Sequence, residues 1–144
     1  MAKPVNFSAH FSLGHTTRSY PRLAYERMKN NVLGASYALS LVFIGTTRAQ
    51  TLNRTNRKKT YIPNVLSFSL DETHGEIFIT PKIAKKEARQ RNMTTNEYTG
   101  YLFIHALLHL KGLRHGDTMD MLEKKYCIKY KFSFIHDRPH HHRN

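Results

Sequence analysis

A helix that is apolar on nearly every side has to be covered on every side, and this chain contains one. From a cap at Thr94 or Thr95 through Lys111, the residues Leu102, Phe103, Ile104, Leu107, Leu108 and Leu110 leave almost no polar face. Glu97 stands in the first turn, near the positive end of the helix dipole. The segment predicts a core helix around which other elements are laid. Two imidazoles, His105 and His109, interrupt its apolar run, and Gly112 and His115 follow it.

Residues four apart on a helix share a face, with Cβ atoms about 5–6 Å apart, so His105 and His109 can reach one ion. A glycine just past an apolar helix accepts the left-handed conformation that turns the chain back, so Gly112 can bring His115 round as a third ligand. Any one of these histidines alone would be read as a partly buried polar residue. Together, in this spacing, they predict one Zn²⁺ per chain held by His105, His109 and His115, with one tetrahedral position open as in catalytic sites. Metzincin proteases share the spacing, but their general base is a glutamate directly after the first histidine. Here that residue is Ala106, which argues against peptide hydrolysis.

The rest of the chain bounds the partners. Its 144 residues, 40% of them hydrophobic, suit one domain spanning 1–144, with a basic tail from about residue 130 that ends near His140, His141 and His142 and is expected to be mobile. The solitary Cys127 has no second thiol for a disulfide or a zinc knuckle, which fits a reducing compartment. No apolar run approaches the roughly 20 residues a bilayer requires, so the expectation is a cytoplasmic protein with no membrane partner. Lys and Arg number 23 against 10 Asp and Glu, a net charge of +13 that favours a polyanion, RNA or the ribosome, over a neutral substrate.

Local patterns supply the other elements. A short edge strand is possible within residues 1 to 19. An amphipathic helix is predicted from Pro21 to Gly34, with Leu23, Met28, Val32 and Leu33 apolar and Arg22, Glu26, Arg27 and Lys29 between them. Gly34 and Gly45 bracket a central strand, Tyr37 to Ile44. Thr46 or Thr47 then caps a short helix that gives way to a basic loop containing Arg54, Arg57, Lys58 and Lys59. Val65 to Leu70 and Glu76 to Thr80 read as a hairpin around Asp71 to Gly75. Pro81 opens a helix carrying Lys82, Lys85, Lys86 and Arg89, a cationic face suited to solvent or to phosphates. Asp117 or Thr118 caps a last helix through Met119, Met121, Leu122, Tyr126 and Ile128.

Leu52-Asn53 followed by Arg57, then Val65-Leu66-Ser67-Phe68, then Gly75-Glu76-Ile77, then the histidine segment ending at His115 stand in one order and spacing. In that arrangement, over roughly residues 35 to 128, the chain resembles the YbeY family of bacterial endoribonucleases, also called rRNA maturation factors. The resemblance implies an α+β fold, a small mixed β-sheet packed by about five helices with a zincin-like metal helix. It also implies zinc-dependent, single-strand-specific RNA cleavage in rRNA maturation and ribosome quality control, with precursor rRNA and the ribosome as partners. His105 and Arg57 become the candidate catalytic residues, Arg57 facing the cleft to contact phosphate. Arg54, Arg57, Lys58, Lys59, Lys85, Lys86 and Arg89 become the candidate RNA contacts.

The chain departs from the family at Ala106 (usually Gly), Leu113 (aromatic), Arg114 (Asp) and Asn64 (commonly Asp). A metal-bound imidazole normally donates its second N–H to a carboxylate or carbonyl, so the acid missing before His115 directs attention to Asp117 or Asp120. The attacking group, a zinc-activated water or the RNA's own 2′-OH, stays open. The competing readings are a nonenzymatic RNA- or ribosome-binding factor with structural zinc, and a metalloprotease.

Overall fold

Residues 10–14 and 22–132 are described by the computed structural model; the sequence reading of residues 1–9, 15–21 and 133–144, the histidine-rich tail included, lies outside them. In chain order the elements are β1 (Phe11–Gly14), α1 (Arg22–Leu33), β2 (Ala38–Phe43), α2 (Thr46–Arg57), β3 (Val65–Asp71), β4 (His74–Ile79), α3 (Pro81–Gln90), α4 (Thr95–Leu110) and α5 (Asp117–Lys129). The strands form one sheet in the order β1-β2-β4-β3. β1 and β4 run parallel to β2, and β3 is antiparallel to β4 through the hairpin. This is the mixed α+β arrangement anticipated above, with β2 central and β1 at an edge.

Strand alternation sends side chains to two differently covered faces. Leu39, Leu41 and Phe43 of β2, with Ile77 and Ile79 of β4, join the core built on Phe103, Ile104, Leu107 and Leu108 of α4. Val42, Leu66 and Phe78 point the other way and pack with Ala49 and Leu52 of α2. Helices α1, α3 and α5 add Met28 and Val32, Ala84 and Ala88, and Met119 and Cys127 to the α4 side. Every α4 residue from Tyr98 to Leu108 is buried. Each fully buried Leu, Ile or Phe there stabilises the fold by about 1.5–3 kcal/mol, which fixes α4 in the core. Thr94, rather than Thr95, caps it, in a reciprocal capping box with Glu97.

Three local expectations are corrected. α2 is capped by Gly45 and continues to Arg57, so Arg54 and Arg57 lie on a helix rather than in a loop. The last turn is held because Asn53 is buried and its amide donates to the Tyr61 carbonyl at 3.0 Å. On α1, Glu26 and Lys29 are buried rather than solvated. The Lys29 ammonium is satisfied by the Ala35 carbonyl at 3.0 Å and Asn30 Oδ1 at 3.1 Å, while burial pulls its pKa down against the opposing pull of Glu26. Gly116 precedes α5 in place of a side-chain cap. Along its length α5 buries Met119, Glu123 and Cys127 and exposes Met121 and Ile128, 63% and 62% accessible. Among the described residues no helix is long and apolar enough to cross a membrane.

Candidate metal centre

The centre begins with how α4 stops. Gly112 adopts φ +106°, the left-handed conformation open to glycine. The Gly112 N–H donates to the His109 carbonyl at 2.9 Å and the Leu113 N–H to the Leu108 carbonyl at 3.0 Å, the two bonds of a Schellman motif. Leu113 packs back on the core, a contact that often accompanies the motif. The reversal carries His115 up beside the helix it has just left.

Three imidazoles meet there. Ring centroids of His105 and His109 are 4.6 Å apart, those of His109 and His115 4.8 Å, and those of His105 and His115 5.2 Å. One nitrogen from each lies within 4.8 Å of the other two. Exposure rises along the set: His105 is buried, His109 half-buried and His115 exposed. The cluster therefore closes on the core side and opens to solvent at His115.

Hydrogen bonds at the far nitrogens determine what the near ones present. His105 Nδ1–H donates to Glu123 Oε2 at 2.6 Å, and His109 Nδ1–H donates to the Leu113 carbonyl at 3.1 Å. With both protons on Nδ1, both Nε2 atoms carry lone pairs, and these two atoms face each other at 3.2 Å. Two lone pairs at that distance repel unless a cation lies between them. Nitrogens bound at about 2.0–2.1 Å to one tetrahedral zinc are separated by about 3.3 Å, so the donor set fits the ion. Burial, reinforced by His105 and His115 nearby, lowers the His109 pKa to about 4, which keeps its ring neutral and able to ligate at neutral pH.

The residues behind the three histidines were not found by sequence reading. Glu123 of α5 is 1% exposed and accepts from His105 through one oxygen and from the Tyr101 hydroxyl through the other, at 3.3 Å. A carboxylate so deeply buried is stable only when its oxygens are bonded in this way. Its signal was present: Glu123 sits four residues from both Met119 and Cys127, on the same helical stripe. The sequence reading named Met119 on that helix but neither Glu123 nor Cys127.

The remaining candidates are distributed over two helices. Arg57 ends α2, the helix on the sheet face opposite α4, and its Nη1 donates to Asn53 Oδ1 at 3.2 Å and to the Tyr61 hydroxyl at 3.3 Å. Arg54, Lys58 and Lys59 are exposed around the same helix end. Lys85, Lys86 and Arg89 are exposed on α3, whose other face buries Ala84 and Ala88. Of the departures noted above, Ala106 is fully packed in the core and Arg114 is exposed.

A family model described as Endoribonuclease YbeY matches residues 12–130. Endoribonuclease YbeY of Neisseria meningitidis serogroup B is 33% identical over 119 residues, covering 74% of this chain and 69% of the relative. The protein of the same description from Bdellovibrio bacteriovorus is 33% identical over 117 residues, covering 77% and 78%. The solution structure of TM1509 from Thermotoga maritima superposes with a TM-score of 0.61 at 21% identity, over 84% of this chain and 91% of that one, a likeness of fold.

Proposed function

Since the chain belongs to the YbeY endoribonuclease family, we propose that it is a zinc-dependent endoribonuclease that cuts single-stranded RNA in rRNA maturation and ribosome quality control, in the cytoplasm. The observation that carries the reading is the convergence of His105, His109 and His115, with the Nε2 atoms of the first two turned toward each other. These three residues would hold the ion. When bound, zinc supplies Lewis acidity toward a phosphodiester.

The chain's own groups do the rest. His109 stays neutral at physiological pH, and the Leu113 carbonyl and Glu123 hold the His109 and His105 rings in their ligating orientation. Opening of the cluster on the His115 side gives an extended strand access, whereas the core side excludes water. Arg57, restrained by Asn53 and Tyr61, is proposed to offset charge on phosphoryl oxygens. Arg54 on α2, Lys58 and Lys59 just past its end, and Lys85, Lys86 and Arg89 on α3 are proposed to follow the RNA backbone, a role consistent with the net charge of +13.

The test uses purified full-length protein, zinc analysis and matched single- and double-stranded RNA substrates. One zinc per chain is expected, with cleavage of the single strand that a chelator abolishes and zinc restores. His109→Ala should lose both metal and cleavage. Cleavage that persists unchanged in a folded, zinc-free His109→Ala protein would overturn the assignment, and zinc binding with no cleavage of any RNA would favour a structural ion.

A further inference from the structure

We propose that Glu123 is a positioning residue for the metal, presenting the His105 Nε2 lone pair to the ion from the neighbouring helix. The inference rests on the metal-site reading above and concerns a residue 18 positions beyond the ligand it serves.

The Tyr101 hydroxyl donates to Oε1 and ties α4 to α5 through the carboxylate. Oε2 is placed 2.6 Å from Nδ1 of His105, the nitrogen whose proton decides which of the two ring nitrogens is left to ligate. His105 is 2% exposed, so no solvent competes for that proton, and the carboxylate fixes both the tautomer and the plane of the ring. The connection between the outer ligand and this support is short. α5 begins at Asp117, two residues after His115, and Glu123 lies on the α5 face that also buries Met119 and Cys127 against the core. One helix thus extends from the outermost ligand to the support of the innermost. At the other end of the triad the residue before His115, Arg114, is exposed, whereas the carboxylate behind His105 is buried.

The experiment measures zinc affinity of the full chain by competition with a chromophoric chelator, for wild type, Glu123→Gln, Glu123→Asp and Tyr101→Phe. Glu123→Gln is expected to bind zinc about 10- to 100-fold more weakly, the usual cost of losing an outer-shell partner of a metal-bound histidine. Tyr101→Phe leaves the His105 bond in place and should shift affinity less than threefold. Nitrogen-detected imidazole spectra of the metal-free proteins give a second readout: His105 is expected as the Nδ1–H tautomer in wild type and as a mixture in Glu123→Gln. Should Glu123→Gln fail to fold, Glu123→Asp, which keeps the charge but withdraws it by one methylene, carries the same prediction. Wild-type zinc affinity and an unchanged His105 tautomer in a folded variant, even one with a lowered Tm, would overturn the proposal and leave the metal site standing. Absence of zinc binding by wild type would instead remove the site itself and this inference with it.

Discussion

The carbonyl of Leu113 lies 3.1 Å from Nδ1 of His109, so the backbone that reverses after α4 also orients a side chain within it. Leu113 is delivered to that position by the left-handed Gly112. The turn therefore has two consequences, bringing His115 alongside and fixing which nitrogen His109 offers.

Gly112→Ala tests this link without a steric complication, because nothing lies within 4 Å of where its Cβ would stand. The cost is conformational, about 1–2 kcal/mol for a left-handed alanine. A lowered Tm together with weaker zinc binding is expected. A lowered Tm with unchanged zinc affinity would separate the turn from the site.

Acid should destabilise the metal-free protein in a defined window. The His109 pKa is about 4 in the fold, below its ordinary value, so as pH falls the unfolded chain takes up this proton first. The stability contributed by the neutral ring is intact above about pH 6.5 and is lost as pH falls toward 4. The loss should be on the order of 2 kcal/mol, less than the full pKa difference implies because the ring is half-exposed. Urea unfolding of zinc-free protein across that range should show the slope, and His109→Gln should flatten it.

Loosening Arg57 should impair cleavage while sparing the metal. Tyr61→Phe removes one of its hydrogen-bond acceptors, at a cost of about 1 kcal/mol in stability. Asn53→Ala removes another and also strips the Tyr61 carbonyl of its donor, so its loss should be nearer 1–3 kcal/mol. Both variants are expected to retain one zinc and to show reduced kcat on single-stranded RNA, Asn53→Ala more so. Full activity in both would mean that the orientation of Arg57 is irrelevant to the reaction.

Salt dependence addresses α3. For single-stranded RNA, log affinity should fall with log salt by about 0.7 for each phosphate neutralised. Replacing Lys85, Lys86 and Arg89 together by glutamine should flatten that slope by up to about 2 if each contacts a phosphate. An unaltered slope would take α3 off the binding surface, and Arg54, Lys58 and Lys59 can be examined in the same way.

What the sequence by itself determined were the features encoded over one or two turns of chain. The apolar residues of α4, the four-residue spacing of His105 and His109 and the glycine at 112 announced the core helix and the convergence of its histidines; Pro81 and Thr94 marked where helices begin, and the hairpin was placed correctly although its turn is only Glu72 and Thr73. Helical period, the capping box at Thr94 and the left-handed glycine are local properties, so they are legible without the fold. Tertiary structure alone decided which carboxylate stands behind His105, which stripe of α5 is buried, and that Arg54 and Arg57 belong to a helix. Taken alone, the sequence of α5 offers Met121 and Ile128 for burial as readily as Met119. Only docking against α4, where a buried imidazole N–H needs an acceptor, makes the stripe containing Glu123 the lower in energy.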